Sequence, residues 1–163
     1  MRIRQIVAVL AILLSGPYAQ PAHADAAPAP APALRTAAFD ASGYPWPAQD
    51  GWALDGHGYW EGECTSFVAW ALRHDGRPRS KWPDFLGNAW HWTGSALVTM
   101  PQPGDVAQWD AGYDGADSLG HVAYVVAANA GGTFTVDEYN WYTFHRFDTR
   151  VIAPNEPSRY LRF

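Results

Sequence analysis

The chain holds one cysteine, Cys64, within the stretch GECTSFVAWALRHDG. A lone thiol in an oxidising compartment fits three descriptions: a small buried hydrophobe, half of an intermolecular disulfide, or a nucleophile. Attack on an amide asks for more than sulfur. It needs a base that takes the thiol proton and later delivers it to the departing amine, and a polar group that fixes the tautomer of that base. Among the six histidines, His121 opens GHVAYVVAANAGGTFTVDEYNW, a segment that also carries Glu138 and Asn140. The others fit less well. His23 lies in the leader, His74 falls in the last turn of a helix, and His91 and His145 have no acid at strand spacing. His57 stands in LDGHGYW, where Asp50 and Asp55 suggest a cation loop, but the spacing matches no known one and reads as an ordinary turn.

These groups can act together only if their elements bring them together. Cys64, Phe67, Val68, Ala71 and Leu72 recur at i, i+3, i+4, i+7 and i+8, one apolar stripe of a helix whose first member is the thiol. Arg73 and His74 suit its last turn, and Gly76 stops it. Unpaired backbone N–H groups and the helix dipole stabilise a thiolate at that N-terminus, while Glu61 and Glu63 oppose it. The later segment reads as two strands joined through Asn129-Ala130-Gly131-Gly132. If Ala130 and Gly131 form a two-residue turn, His121 lies opposite Asn140 and Ala123 opposite Glu138, so all three polar groups project from one face within roughly 5 to 8 Å. A one-residue bulge would break that parity.

Around these elements, Asn88 to Trp92 reads as a short helix, VAQWD as a strand, and YDGADSL as a loop. YTFHRFDTRVIAP and SRYLRF read as further strands. A helix followed by antiparallel strands defines an α+β domain with helices on one face of the sheet.

The first 24 residues combine Arg2 and Arg4, an apolar run from Ile6 to Leu14, and an Ala22-His23-Ala24 cleavage pattern, so 1–24 reads as a secretory signal peptide. No later run approaches the roughly 20 apolar residues of a membrane span. Residues 25–38 alternate Ala and Pro and form an extended linker, which leaves 39–163 as one folded domain. The chain has 11 Lys and Arg against 16 Asp and Glu; without Arg2 and Arg4 the balance is about −7, which disfavours nucleic acid and anionic polymers as partners. Arg73, Arg77, Arg79 and Lys81 read as a solvated face. Nine Trp exceed what a small core needs, so several are expected to line a groove.

The blocks ECTSFVAWAL, GNAWHW, PGDVAQWD, GHVAYV and VDEYNW, in that order, resemble the CHAP domain, the cysteine, histidine-dependent amidohydrolase/peptidase group of the NlpC/P60 papain-like superfamily. The resemblance covers about Tyr44 to Phe163. It implies a papain-like fold and hydrolysis of peptidoglycan amide bonds, with Cys64 as nucleophile, His121 as general base, and Glu138 with Asn140 orienting the histidine. Such proteins often carry Gln before the nucleophile, where this chain has Glu63, so the backbone N–H of Cys64 is the expected oxyanion donor. No cofactor or metal is implied. The expected partner is a peptidoglycan stem peptide or muramoyl-peptide, with no membrane anchor and a monomeric chain. The rival reading is a catalytically silent wall-binding domain or a dimer bridged through Cys64.

Overall fold

The computed structural model describes residues 39–48 and 52–163. The expected signal peptide and linker lie outside the described residues. Within them, no helix is long and apolar enough to cross a membrane.

The helix forms where the apolar stripe places it. α1 runs Cys64–His74, capped by Asp75 and ended by Gly76 in the left-handed region at φ 85°. It is buried more completely than one stripe requires, since Ser66 through Leu72 are all buried. The N-terminal segment explains this: Phe39 and Tyr44 pack against Phe67 and Trp70 and also reach Tyr124 and Tyr139 of the sheet. Ser66, the polar residue in that buried run, donates to Asp55 Oδ2 at 2.9 Å and accepts from the Tyr44 hydroxyl at 3.0 Å. The burial of each polar group is thereby compensated.

Six strands follow: β1 (Ala96–Val98), β2 (Val106–Trp109), β3 (His121–Ala128), β4 (Phe134–Tyr139), β5 (Phe147–Ile152) and β6 (Arg159–Arg162). They form one antiparallel sheet in the order β1-β6-β2-β3-β4-β5. Alternation sorts their side chains into two layers. Val106, Val122, Tyr124 and Leu161 pack in the layer of α1, whereas Ala107, Trp109, Ala123, Val125, Val136 and Ile152 form a second layer. α1 is the one α-helix among the described residues, and it is accompanied by three short 3-10 segments, Ala41–Gly43, Arg79–Lys81 and Ala89–His91. One of them, Ala89–His91, lies within the short helix expected at 88–92. It is fastened to the sheet by Gln108, whose amide donates to the carbonyls of Ala89 and Trp92 at 2.7 and 3.0 Å.

The β3–β4 hairpin departs from expectation twice, and the departures cancel. Asn129 N donates to Thr133 O at 2.8 Å, closing a three-residue loop, Ala130-Gly131-Gly132, instead of a two- or four-residue one. That alone would shift the register by one. A β-bulge between Val125 and Ala127 shifts it back, so Tyr124 faces Asp137 and Val125 faces Val136. The bulge preserves the parity at the far end of the hairpin. Two-sided burial explains it: a slip would turn Ala123 and Val125 out of their layer.

The basic cluster is corrected in part. The side chains of Arg73 and Arg77 are shielded, not solvated: Arg73 donates to Asp84 at 3.0 Å, and Arg77 pairs with Asp75 and donates to Gly104 O at 2.8 Å. The sequence stretch 142–146 forms a turn and not strand, and β1, a short edge strand, was not anticipated.

Candidate active site

Cys64 is the first residue of α1, and His121 is the first residue of β3. Gly120, just before His121, takes φ 73°, and a Cβ there would meet the Trp109 carbonyl at 2.7 Å and Trp90 backbone N at 2.9 Å. Only glycine lets the chain enter β3 so close to those neighbours. The imidazole stands close enough to the thiol for Cys64 to act on its charge state. On its other side, His121 Nε2 donates to Glu138 Oε2 at 2.7 Å, which leaves Nδ1 for the sulfur. Burial pushes the His121 imidazolium down. The charge of Cys64, joined by the charge and hydrogen bond of Glu138, outweighs it and holds the group up at about 9.

Glu138 is fully buried and accepts from a second cation. Arg150 of β5 donates Nε to Oε1 and Nη2 to Oε2, the latter at 3.4 Å, while its Nη1 reaches Glu156 Oε1 at 2.7 Å. The guanidinium lies over the Trp141 ring, 3.7 Å from its centre. Trp141 and Trp109 in turn flank His121, with ring centres 4.9 and 5.5 Å away.

Asn140 is brought to a different partner from the one expected. At φ 69° it leaves the pleat of β4 one residue past the strand end, and its Nδ2 donates to Glu63 Oε2 at 2.5 Å. Its Oδ1 accepts from the backbone N–H of His145. The His145 ring nitrogen Nε2 meets Glu63 Oε1 at 3.2 Å. Glu138 therefore holds His121, and Asn140 holds Glu63, the residue immediately before the thiol. Burial raises the Glu63 carboxyl, opposed by His145 and Asn140.

Sequence reasoning missed Arg150 and the His145–Glu63 pair. Arg150 had a readable signal, since it shares a face of β5 with the core residue Ile152. The pair had none, because it joins residues 82 positions apart. His57 packs toward Asp84 at 3.2 Å, and Asp55 accepts from His57 N, Tyr59 N and Ser66 Oγ, so that carboxylate is occupied by protein donors. Asp50 lies outside the described residues.

Cys64 opens into a cleft of about 370 Å³ whose lining includes Glu63, Trp52, Trp60, Asn88, Asp117 and Phe144. Trp52 and Trp60 are 64% and 45% exposed, so part of the tryptophan excess does line a groove.

A thiol at a helix N-terminus, meeting an imidazole at the start of a strand in an antiparallel sheet, defines a papain-like α+β domain. The comparisons with known proteins give the family. The model of the CHAP domain matches residues 54–140, so the chain belongs to the CHAP family. The Staphylococcal secretory antigen SsaA of Staphylococcus aureus strain NCTC 8325 is 30% identical over 118 residues, which cover 68% of this chain and 42% of the relative. The antigen ssaA1 of strain COL matches to the same extent. A crystal structure of N-acetylmuramoyl-L-alanine amidase from Staphylococcus aureus aligns with a TM-score of 0.54 at 26% identity, covering 65% of this chain and 31% of that one. The chain thus spans less than half the length of the curated relatives it matches.

Proposed function

We propose that this chain is a secreted peptidoglycan hydrolase, with 39–163 as its catalytic domain behind a signal peptide at 1–24 and a linker at 25–38. It cleaves an amide bond through Cys64 and an acyl-enzyme. The observation that carries this reading is a buried thiol at the N-terminus of α1 beside His121 at the start of β3, an imidazole that Glu138 holds at 2.7 Å. Membership of the CHAP family, the amidase neighbour and the name of the secretory relatives support the substrate class and export.

In the proposed reaction, His121 holds the thiol proton as an imidazolium, and the Cys64 thiolate attacks the carbonyl carbon. The negative charge that develops on oxygen meets the backbone N–H of Cys64, which has no intrahelical acceptor at the first position of α1. His121 then gives its proton to the leaving amine as the C–N bond breaks, leaving a thioester. Water, deprotonated by the same imidazole, attacks the thioester and returns the thiol and a carboxylate product. Glu138 fixes the histidine tautomer and favours the imidazolium.

The bond cut is either that between the muramic lactyl group and L-alanine or one within the stem or cross-bridge peptide. Mass spectrometry of fragments released from purified peptidoglycan distinguishes them: a free lactyl carboxyl marks an amidase, a new peptide terminus an endopeptidase. Intact peptidoglycan after prolonged incubation with folded enzyme would overturn the proposal.

A further inference from the structure

The geometry points to Arg150 as a positioning residue that acts on the reaction through Glu138, by fixing the plane of the carboxylate that holds His121. This rests on the function proposed above for Cys64 and His121.

Glu138 uses both oxygens in a defined way. Oε2 accepts from His121 Nε2 at 2.7 Å, and the Arg150 fork grips Oε1 through Nε and Oε2 through Nη2. A carboxylate held by the imidazole alone could rotate about its last torsion and carry the histidine with it. The two-point grip of a planar guanidinium removes that rotation. Arg150 is itself held, by the Trp141 face at 3.7 Å and by Glu156 at 2.7 Å. Glu156 Oε2 also accepts from the backbone N–H of Ala153, which fixes it to the turn after β5. The inner part of this chain of contacts is shielded: Glu138 has no exposed side-chain surface, and Arg150 and His121 have 9% and 5%, while Glu156 at its outer end has 23%. Opposite charges alternate along it: Arg150 faces the Glu138 carboxylate on the side away from His121, and Glu156 in turn faces Arg150.

A residue serving only stability would change the amount of folded enzyme and leave the turnover of each folded site intact. A positioning residue lowers kcat and spares KM, because Arg150 is absent from the cleft lining. The test uses soluble disaccharide-peptide muropeptides as substrate, with active sites counted by stoichiometric alkylation of Cys64. Arg150→Gln is expected to lower kcat roughly 10- to 100-fold, with KM within about twofold of wild type. Arg150→Lys keeps the charge and loses the fork, and is expected to recover part of the rate. The independent signature is the exchange-protected ring N–H resonance of His121 in proton NMR, assigned by its loss in Glu138→Gln. It is expected in wild type, broadened or absent in Arg150→Gln, and present in Arg150→Lys.

An unchanged kcat per active site in Arg150→Gln, or a sharp protected resonance in that variant, overturns the inference. If Arg150→Gln does not fold, Arg150→Lys decides: a wild-type kcat there means that the fork positions nothing. A wild-type enzyme that leaves muropeptides intact contradicts the proposed function and leaves the resonance to judge Arg150.

Discussion

At the scale of single residues, the two acids near the thiol divide the labour. Glu138 touches the imidazole, while Glu63 sits beside Cys64 under the control of Asn140 and His145. Glu138→Gln should lower kcat roughly 10²- to 10⁴-fold, since it removes the group that fixes the histidine tautomer. It also strips a buried cation of its main partner, at about 3 kcal/mol. Asn140→Ala should lose less, because it acts one residue away from the sulfur. Kinetics of the two purified variants check this ordering, and a larger loss in Asn140→Ala would reverse the assignment. The raised His121 group adds a pH dependence with a defined sign. Its folded value of about 9 lies above its ordinary 6.5, so its contribution to stability is complete below pH 6.5 and disappears as pH climbs through 9. Thermal unfolding between those limits should show a falling midpoint in wild type. In Cys64→Ser the slope should flatten, because the thiolate is the strongest of the influences that raise the group.

At the scale of elements, the site depends on the β3–β4 register and on the N-terminus of α1. Both were legible in the sequence: the i, i+3, i+4 stripe placed Cys64 first in the helix, and strand parity put His121 and Glu138 on one face. The parity survived through two compensating irregularities, a three-residue loop and a bulge at Val126, neither of which leaves a local signal in a run of small apolar residues. Contacts that need the third dimension stayed hidden for the same reason. The Arg150–Glu138 grip joins non-opposed positions of β4 and β5, and the Glu63–His145 pair depends on a turn with two residues at positive φ. An engineered loop separates the two irregularities. One glycine inserted between Gly131 and Gly132, where the surroundings are open, should cost only about 0.3 kcal/mol of loop entropy and leave hydrolysis intact. Deleting Val126 removes the compensation, so the deletion protein should lose activity and cooperative unfolding together. A fully active Val126 deletion would show that the register does not position the site.

At the scale of the whole molecule, one cleft gathers the thiol, exposed indole rings and the carboxylates of Glu63 and Asp117, while the chain, with 11 Lys and Arg against 16 Asp and Glu, carries a net negative charge. Electrostatic adhesion to anionic wall polymers is therefore a poor source of affinity, and the aromatic lining is left to engage the substrate. The chain covers 42% of its secretory relatives, so the described domain accounts for the chemistry proposed and not for what the rest of those proteins does. The central claim is that Cys64 carries out covalent amide hydrolysis on peptidoglycan. Its most direct test is the release of soluble fragments from purified sacculi by wild type and by Cys64→Ser, at equal concentrations of protein shown to be folded by circular dichroism. Wild type is expected to release fragments bearing new carboxyl and amine termini, and Cys64→Ser to release none above background. Equal release by the two proteins would contradict the account.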